Sequence, residues 1–160
     1  MRKILIFGNS GSGKSTLATA LAEAEQLAHL DLDTLAWLPG WPPERAPLEV
    51  SERKIQDFTK AYNGWVVEGC YIDLLELLRP TATEIVFMNL SVERCIENAK
   101  NRPWEPHKYA SKETQDDNLA MLIDWIKQYK TRTDVFSYAA HARFYETFTG
   151  KKTIYESNNR

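Results

Sequence analysis

The chain has 160 residues, 43% hydrophobic and 11% aromatic, enough to fill one core and too few for two, so it reads as a single domain over residues 1–160. Its formal net charge is −2 and its Lys and Arg residues are scattered, which excludes a basic field that would draw it to nucleic acid or an anionic membrane. Cys70 and Cys95 lack C-x-x-C spacing, and His29, His107 and His141 lack ligand spacing; a zinc framework is excluded and a reducing, cytoplasmic setting is expected, with no apolar run long enough for a membrane span or signal peptide.

Lys3 to Phe7 is a short continuous apolar run, the pattern of a strand buried in a parallel sheet. It runs straight into Gly8-Asn9-Ser10-Gly11-Ser12-Gly13-Lys14-Ser15, a complete G-x-x-x-x-G-K-[ST] phosphate-binding loop, followed by Thr16. Helical spacing then holds from Thr16 to Ala28, with Leu17, Leu21 and Ala24 on one side. Strand, glycine-rich turn and helix N-terminus form an anion nest whose amides and dipole attract a polyphosphate. In that frame Lys14 reaches the β- and γ-phosphates and the Ser15 hydroxyl binds Mg²⁺, so ATP and Mg²⁺ are the expected ligands. A dinucleotide-binding turn is the nearest rival, but Thr16 stands where its third glycine belongs and Lys14 has no place in it.

Ala28 to Leu32 reads as a second strand, and the five Pro and Gly residues between Trp37 and Pro47 stiffen a loop. Leu48, Ile55, Phe58 and Tyr62 repeat at helical spacing until Asn63-Gly64. Trp65 to Val67 is a third strand, and a short helix through Leu74 and Leu78 stops at Arg79-Pro80. Ile85 to Leu90 is the fourth strand, and Ser91 caps a helix that runs to Arg102-Pro103. The polar stretch that follows, residues 103–113, predicts a short lid. Thr114 with Asp117 forms a capping box for a helix carrying Leu119, Leu122 and Ile126. A last helix near Thr133 to Phe148 precedes a fifth strand at Thr153 to Tyr155. Alternating strands and helices predict a three-layer α/β P-loop NTPase fold: a five-stranded parallel sheet covered on both faces.

Parallel sheets bind ligands at the carboxyl ends of their strands, so the strand ends define the candidate site. Strand two ends in Asp31 and Asp33, and strand three in Glu68. Asp31, Glu68 and Ser15 are the candidate metal residues. Asp33 is the candidate for the acceptor's proton, joined by Lys14, Arg102 and Arg132 as catalytic residues. Trp37, Trp41 and Tyr71 join Asp33 as candidates for binding an acceptor within an insert over 33–64. The reaction class is ATP-dependent, Mg²⁺-assisted phosphoryl transfer to a small molecule, with a nucleotide or nucleoside among the acceptors. The alternative is a nucleotide-dependent regulatory switch that acts through a protein partner. Oligomeric state is not encoded in any of these patterns.

The order of phosphate loop, strand-two Asp, acceptor region, strand-three acid and Arg-bearing lid resembles the small P-loop kinases of the adenylate kinase and shikimate kinase group. Leu32-Asp33-Thr34-Leu35-Ala36-Trp37-Leu38-Pro39-Gly40-Trp41, with Trp65-Val66-Val67-Glu68-Gly69-Cys70-Tyr71, more closely resembles the bacterial family labelled DNA topology modulation protein (FlaR-related). The resemblance implies an adenylate-kinase-like fold and a phosphotransferase activity. Glu68 stands where that family more often has Asp, and Cys70 replaces its usual Asn. The D-G-F-P-R element of adenylate kinases and the triple glycine of shikimate kinases are both absent, so the residues that read those acceptors do not carry over.

Overall fold

A computed structural model describes residues 1–159. The strands are β1 (Lys3–Gly8), β2 (Ala28–Asp31), β3 (Trp65–Gly69), β4 (Glu84–Met88) and β5 (Lys151–Tyr155), all parallel, in the order β2-β3-β1-β4-β5. The helices are α1 (Lys14–Glu25), α2 (Leu48–Ala61), α3 (Ile72–Leu78), α4 (Val92–Lys100), α5 (Lys112–Asp117), α6 (Leu119–Lys127) and α7 (Tyr138–Thr147). This is a three-layer α/β P-loop fold.

Period-two alternation in the strands divides the core between the two faces of the sheet. Leu5, Phe7, Val67 and Phe87 face a cluster shared with Ile55 of α2, Leu74, Leu75 and Leu78 of α3 and Phe144 of α7. Ile4, Ile6, Val66 and Met88 face the opposite cluster, with Leu17 of α1, Cys95 of α4 and Ile126 of α6. Because both faces are covered, β1, β3 and β4 have no polar side to show, which is why they read as continuous apolar runs. β1 lies centrally, flanked by β3 and β4, so the loop that leaves its carboxyl end opens at the switch point of the sheet.

Several element boundaries differ from the sequence expectation, each for a local reason. α1 begins at Lys14, inside the phosphate loop, and ends at Glu25, since Gln26 adopts the left-handed conformation (φ 58°) and returns its N–H to Ala22. Ala28 therefore belongs to β2, and not to the helix. β4 ends at Met88, opposite Tyr155, the last residue of β5; the Asn89 N–H, donating to the Tyr155 carbonyl at 2.7 Å, makes the last bond of that ladder. Ser111, and not Thr114, caps the helix after the polar stretch; its hydroxyl accepts from the Thr114 N–H at 3.1 Å, and the helical run breaks at Asn118 into α5 and α6. The last helix starts at Tyr138, because the Asp134 carboxylate accepts from the Phe136 N–H at 3.0 Å and holds a turn there, with Ser137 as the cap.

Candidate functional site

The carboxyl ends of β1, β2 and β3 open into one cavity of about 490 Å³. Its lining joins the phosphate loop (Ser10, Gly11, Gly13, Lys14, Ser15, Thr16) to Asp31, Asp33 and Glu68, and to Arg102, Glu105 and Lys108 on the irregular connection between α4 and α5. The loop is shaped for an anion close to its backbone. Gly11 (φ 79°) and Gly13 (φ 91°) hold left-handed conformations, and Gly13 is the N-cap residue of α1. A methyl on Gly11 would overlap the Cys95 carbonyl oxygen, a backbone atom of α4 that cannot move aside. Gly11→Ala is therefore expected to lose several kcal/mol of stability, of which about 1–2 kcal/mol is left-handed backbone strain. Urea unfolding of the variant measures this, and a stability equal to the parent's would show that the loop does not pack on α4.

Lys14 Nζ donates to the Asn9 carbonyl at 2.8 Å and lies across the mouth of the loop. The Ser15 hydroxyl donates to Glu68 Oε1 at 2.6 Å, so the first turn of α1 and the end of β3 present two hard oxygen donors side by side. Among the described residues no group of three or more His, Cys, Asp and Glu is placed to hold a metal by itself. Two oxygens beside a phosphate cradle nonetheless suit Mg²⁺, which keeps several waters and takes its remaining ligands from phosphates. Glu68 is buried, and its Oε2 meets His29 Nε2 at 2.6 Å. That hydrogen bond raises the pKa of the His29 imidazole, against the opposing effect of burial. The partnership was not legible in the sequence, where His29 reads as an ordinary strand residue; the parallel register of β2 on β3 creates it.

Asp31 lies directly beside Glu68 in that register, yet its carboxylate meets Lys108 and His107 of the α4–α5 connection. Oδ1 accepts the Asp33 N–H at 3.0 Å, and Oδ2 faces Lys108 Nζ at 3.2 Å and His107 Nε2 at 3.4 Å. Asp33 follows on a short 3₁₀ turn (Leu32–Thr34), with Oδ2 2.8 Å from Lys108 Nζ and Oδ1 accepting the Tyr71 hydroxyl. Burial opposes ionisation of Asp33, but the Lys108 ammonium outweighs it and holds the carboxyl below its ordinary range. Reciprocally, burial acts against the charge on Lys108, while Asp33 and Asp31 raise its pKa well above the usual lysine value. Lys108 is the principal residue that sequence reasoning missed. The polarity of its stretch marked a lid, but nothing local singles out which cation of that stretch reaches the carboxylates.

The remaining candidates fall at different distances from the cavity. Arg102 lines it and pairs with Glu105 at 3.2 Å. Tyr71 is buried in the core beneath Asp33, and Trp37 Nε1 donates to the Tyr71 hydroxyl at 2.8 Å, so both meet the site through the Asp33 carboxylate. Trp41 stands 75% exposed on the Pro-rich loop, away from the lining. Arg132 also lies outside the lining: its guanidinium is stacked 3.4 Å over the Trp125 ring and paired with Asp134 at 2.9 Å. Asn98 and Asn158, not anticipated from sequence, join the loop from the other side. Their amides donate to the Gly11 carbonyl at 2.9 Å and the Ser12 carbonyl at 3.2 Å.

The turn that carries Tyr71 is held from below by His141, which is fully buried. Its Nε2 donates to the Cys70 carbonyl at 2.9 Å, and in the neutral ring its Nδ1 accepts the Tyr129 hydroxyl at 2.7 Å. Burial pushes the imidazole pKa down to about 4. An imidazole whose folded pKa lies below its unfolded value stabilises the fold fully above pH 6.5, and that contribution is lost as pH falls from 6.5 toward 4. From pH 7 to 5 the stability advantage of the parent over His141→Phe is expected to shrink by about 2 kcal/mol. Protonation of His29 acts in the opposite sense and is common to both proteins, so the difference isolates His141. Urea titrations at the two pH values measure it, and a His141 ring titrating near 6.5 by NMR would rule the mechanism out.

Comparison with solved structures finds proteins of similar fold. The chain is similar to a shikimate kinase from Bacteroides thetaiotaomicron at 16% identity and a TM-score of 0.54, over 98% of this chain and 86% of that one. It is also similar to a sugar kinase from Janibacter sp. HTCC2649 at 13% identity and a TM-score of 0.51, over 98% and 85% of the two chains. At these identities the likeness is one of fold. No protein-family model and no curated protein matches the chain. Among the described residues, no helix is long and apolar enough to cross a membrane.

Proposed function

We propose that this protein transfers the γ-phosphoryl group of ATP to a hydroxyl of a small-molecule acceptor. The observation that carries the reading is that one cavity joins the phosphate loop to the Asp31–Asp33 pair, so donor phosphates and acceptor can meet across a few ångströms. The loop amides and the N-terminus of α1 hold the β- and γ-phosphates, and Lys14 turns from the Asn9 carbonyl to the γ-phosphate. Ser15 and Glu68 would hold Mg²⁺, which when bound neutralises charge on the β- and γ-oxygens.

On the acceptor side the Asp33 carboxylate orients the attacking hydroxyl and takes its proton. The acceptor oxygen forms its bond to Pγ as the bond from Pγ to the β-bridging oxygen breaks and ADP leaves. Tyr71, backed by Trp37, fixes the Asp33 carboxylate, and Arg102 supplies positive charge to the migrating phosphoryl group from the mouth of the cavity. The connection that bears Arg102 and Lys108 acts as the lid, and the Lys108 contacts to the Asp pair hold it shut while no acceptor is bound. No role in the transfer is assigned to Arg132 or Trp41. The likeness of residues 32–41 and 65–71 to the topology modulation family is compatible with such a kinase, and the acidic chain supports no direct contact with nucleic acid.

The test is ADP release by the full chain with Mg²⁺ and ATP, measured with and without candidate acceptors. Release is expected to rise at least tenfold with a correct acceptor. Slow release that no acceptor accelerates would count against the proposal and favour a regulatory NTPase.

A further inference from the structure

The acceptor half of the cavity carries an unusual charge balance for a kinase of anionic molecules. Asp31, Asp33 and Glu105 line it; Lys108 and His107 face the two aspartates, Arg102 is paired with Glu105, and Lys14 belongs to the phosphate loop. Two arginines that could have faced an anionic acceptor are committed elsewhere. Arg45 pairs with Asp73 at 3.0 Å, and Arg132 with Asp134 at 2.9 Å. A phosphate or carboxylate brought to this half would lie against two aspartates, and the cations near them, Lys108, His107 and Arg102, already face carboxylates.

Lys108 itself has the geometry of a bound ammonium. Its Nζ lies 2.8 Å from Asp33, 3.2 Å from Asp31 and 3.5 Å from Glu105, with the side chain 17% exposed. The segment that carries it is tied mainly to itself and to α5: Trp104 donates to the Tyr109 carbonyl at 3.0 Å, and Gln115 bonds the Glu105 N–H at 2.8 Å and the Pro103 carbonyl at 3.1 Å. Lys108 and His107 are its clasp on the aspartates. If the clasp opens to admit an uncharged acceptor, the recessed Asp31 carboxylate (side chain 10% exposed) and the neighbouring Asp33 lose their ammonium counter-ion, and leaving the recessed charge unpaired is costly. An acceptor that brings its own ammonium restores the pairing as it enters.

We infer that the acceptor is an ammonium-bearing alcohol, such as an amino sugar or amino alcohol, and that Lys108 occupies the place of its ammonium group. This inference rests on the phosphoryl-transfer reading, and the cavity shared with the phosphate loop marks the place as a ligand site independently of the acidic residues.

The experiment removes the stand-in. In Lys108→Ala, ethylammonium chloride is expected to raise Tm by several degrees over sodium chloride at equal ionic strength, with no such difference in the parent or in Lys108→Ala combined with Asp31→Asn and Asp33→Asn. Lys108→Met, which keeps the apolar stem, replaces the Ala variant if that chain does not fold; its KM for an amino sugar is expected to fall relative to the parent, and an unchanged or higher KM would overturn the inference. Affinity for a non-hydrolysable ATP analogue with Mg²⁺ is measured in parallel and is expected to be the same in parent and variant. Equal response to ethylammonium and sodium overturns the inference, and so does a tenfold loss of analogue affinity, which would make Lys108 a phosphate ligand. Failure of the parent to bind the analogue would overturn the kinase reading instead. In the ADP-release assay, an amino sugar is expected to have a kcat/KM at least tenfold above its N-acetyl derivative. Preference for the N-acetyl form, or for a nucleoside monophosphate, overturns the inference while leaving the kinase reading in place.

Discussion

Lys14→Ala is expected to lower turnover by roughly 10²–10³-fold, the scale seen when one preorganised group facing developing charge is removed. The Lys14 ammonium is the side-chain cation built into the phosphate loop; in the structure it donates to a loop carbonyl, and Lys14 belongs to neither core cluster. Its loss removes charge stabilisation that amides cannot replace, because the amides are dipoles of fixed direction and the migrating phosphoryl group moves away from them. The fold should be unaffected, within the ~0.5 kcal/mol typical of side chains outside the core. Turnover, ATP-analogue affinity and Tm together check this. A variant that turns over ATP at the parent rate would invalidate the phosphate-loop assignment, and one that unfolds would show that Lys14 is structural.

The second large effect is expected at Asp33. Asp33→Asn keeps the size of the side chain and an oxygen to accept the Tyr71 hydroxyl, but removes the charge that meets Lys108 at 2.8 Å. Turnover should fall by about two or more orders of magnitude, the contribution of a positioned proton acceptor, with ATP affinity close to that of the parent. The separation is expected from position: Asp33 lies beyond the end of β2, beside Lys108, whereas Ser15 and Glu68 meet at the start of α1, next to the phosphate loop. Asp31→Asn is the control, since Asp31 also caps the 3₁₀ turn through the Asp33 N–H and should affect stability as well as turnover. Measuring kcat and analogue affinity in both variants decides the assignment. An Asp33→Asn variant with normal turnover, or one that merely fails to bind ATP, would refute it.

These two residues also show how far the sequence carries. The phosphate loop is legible because its requirements are local: Gly11 and Gly13 supply left-handed backbone within a few residues of each other, and the apolar run before them and the helical period after them fix the context. Asp33 was legible only as a strand-end position. That it shares Lys108, 75 residues away in the chain, and takes the Tyr71 hydroxyl from the end of another strand depends on the packing of β2, β3 and the α4–α5 connection. The same limit explains Arg132, whose sequence context near a helix end suits a catalytic cation equally well. Only the placement of Trp125 beneath it and Asp134 beside it decides where its charge is used.

The sequence by itself determined the parallel α/β architecture, the phosphate loop and the three strand-end carboxylates, because strand period, helix period and turn chemistry act over short spans of chain. The start of the helix after the polar stretch was not legible, since Ser111 and Thr114 are both competent caps; in the structure the Ser111 hydroxyl takes the Thr114 N–H, which leaves Thr114 inside α5. The tertiary structure alone decided the pairing of His29 with Glu68, the support of the Cys70–Tyr71 turn by His141, and the seat of Lys108 between two aspartates. Each is a short-range electrostatic contact between residues far apart in the chain, and such contacts exist only once hydrophobic burial has set the sheet order and brought the strand ends together.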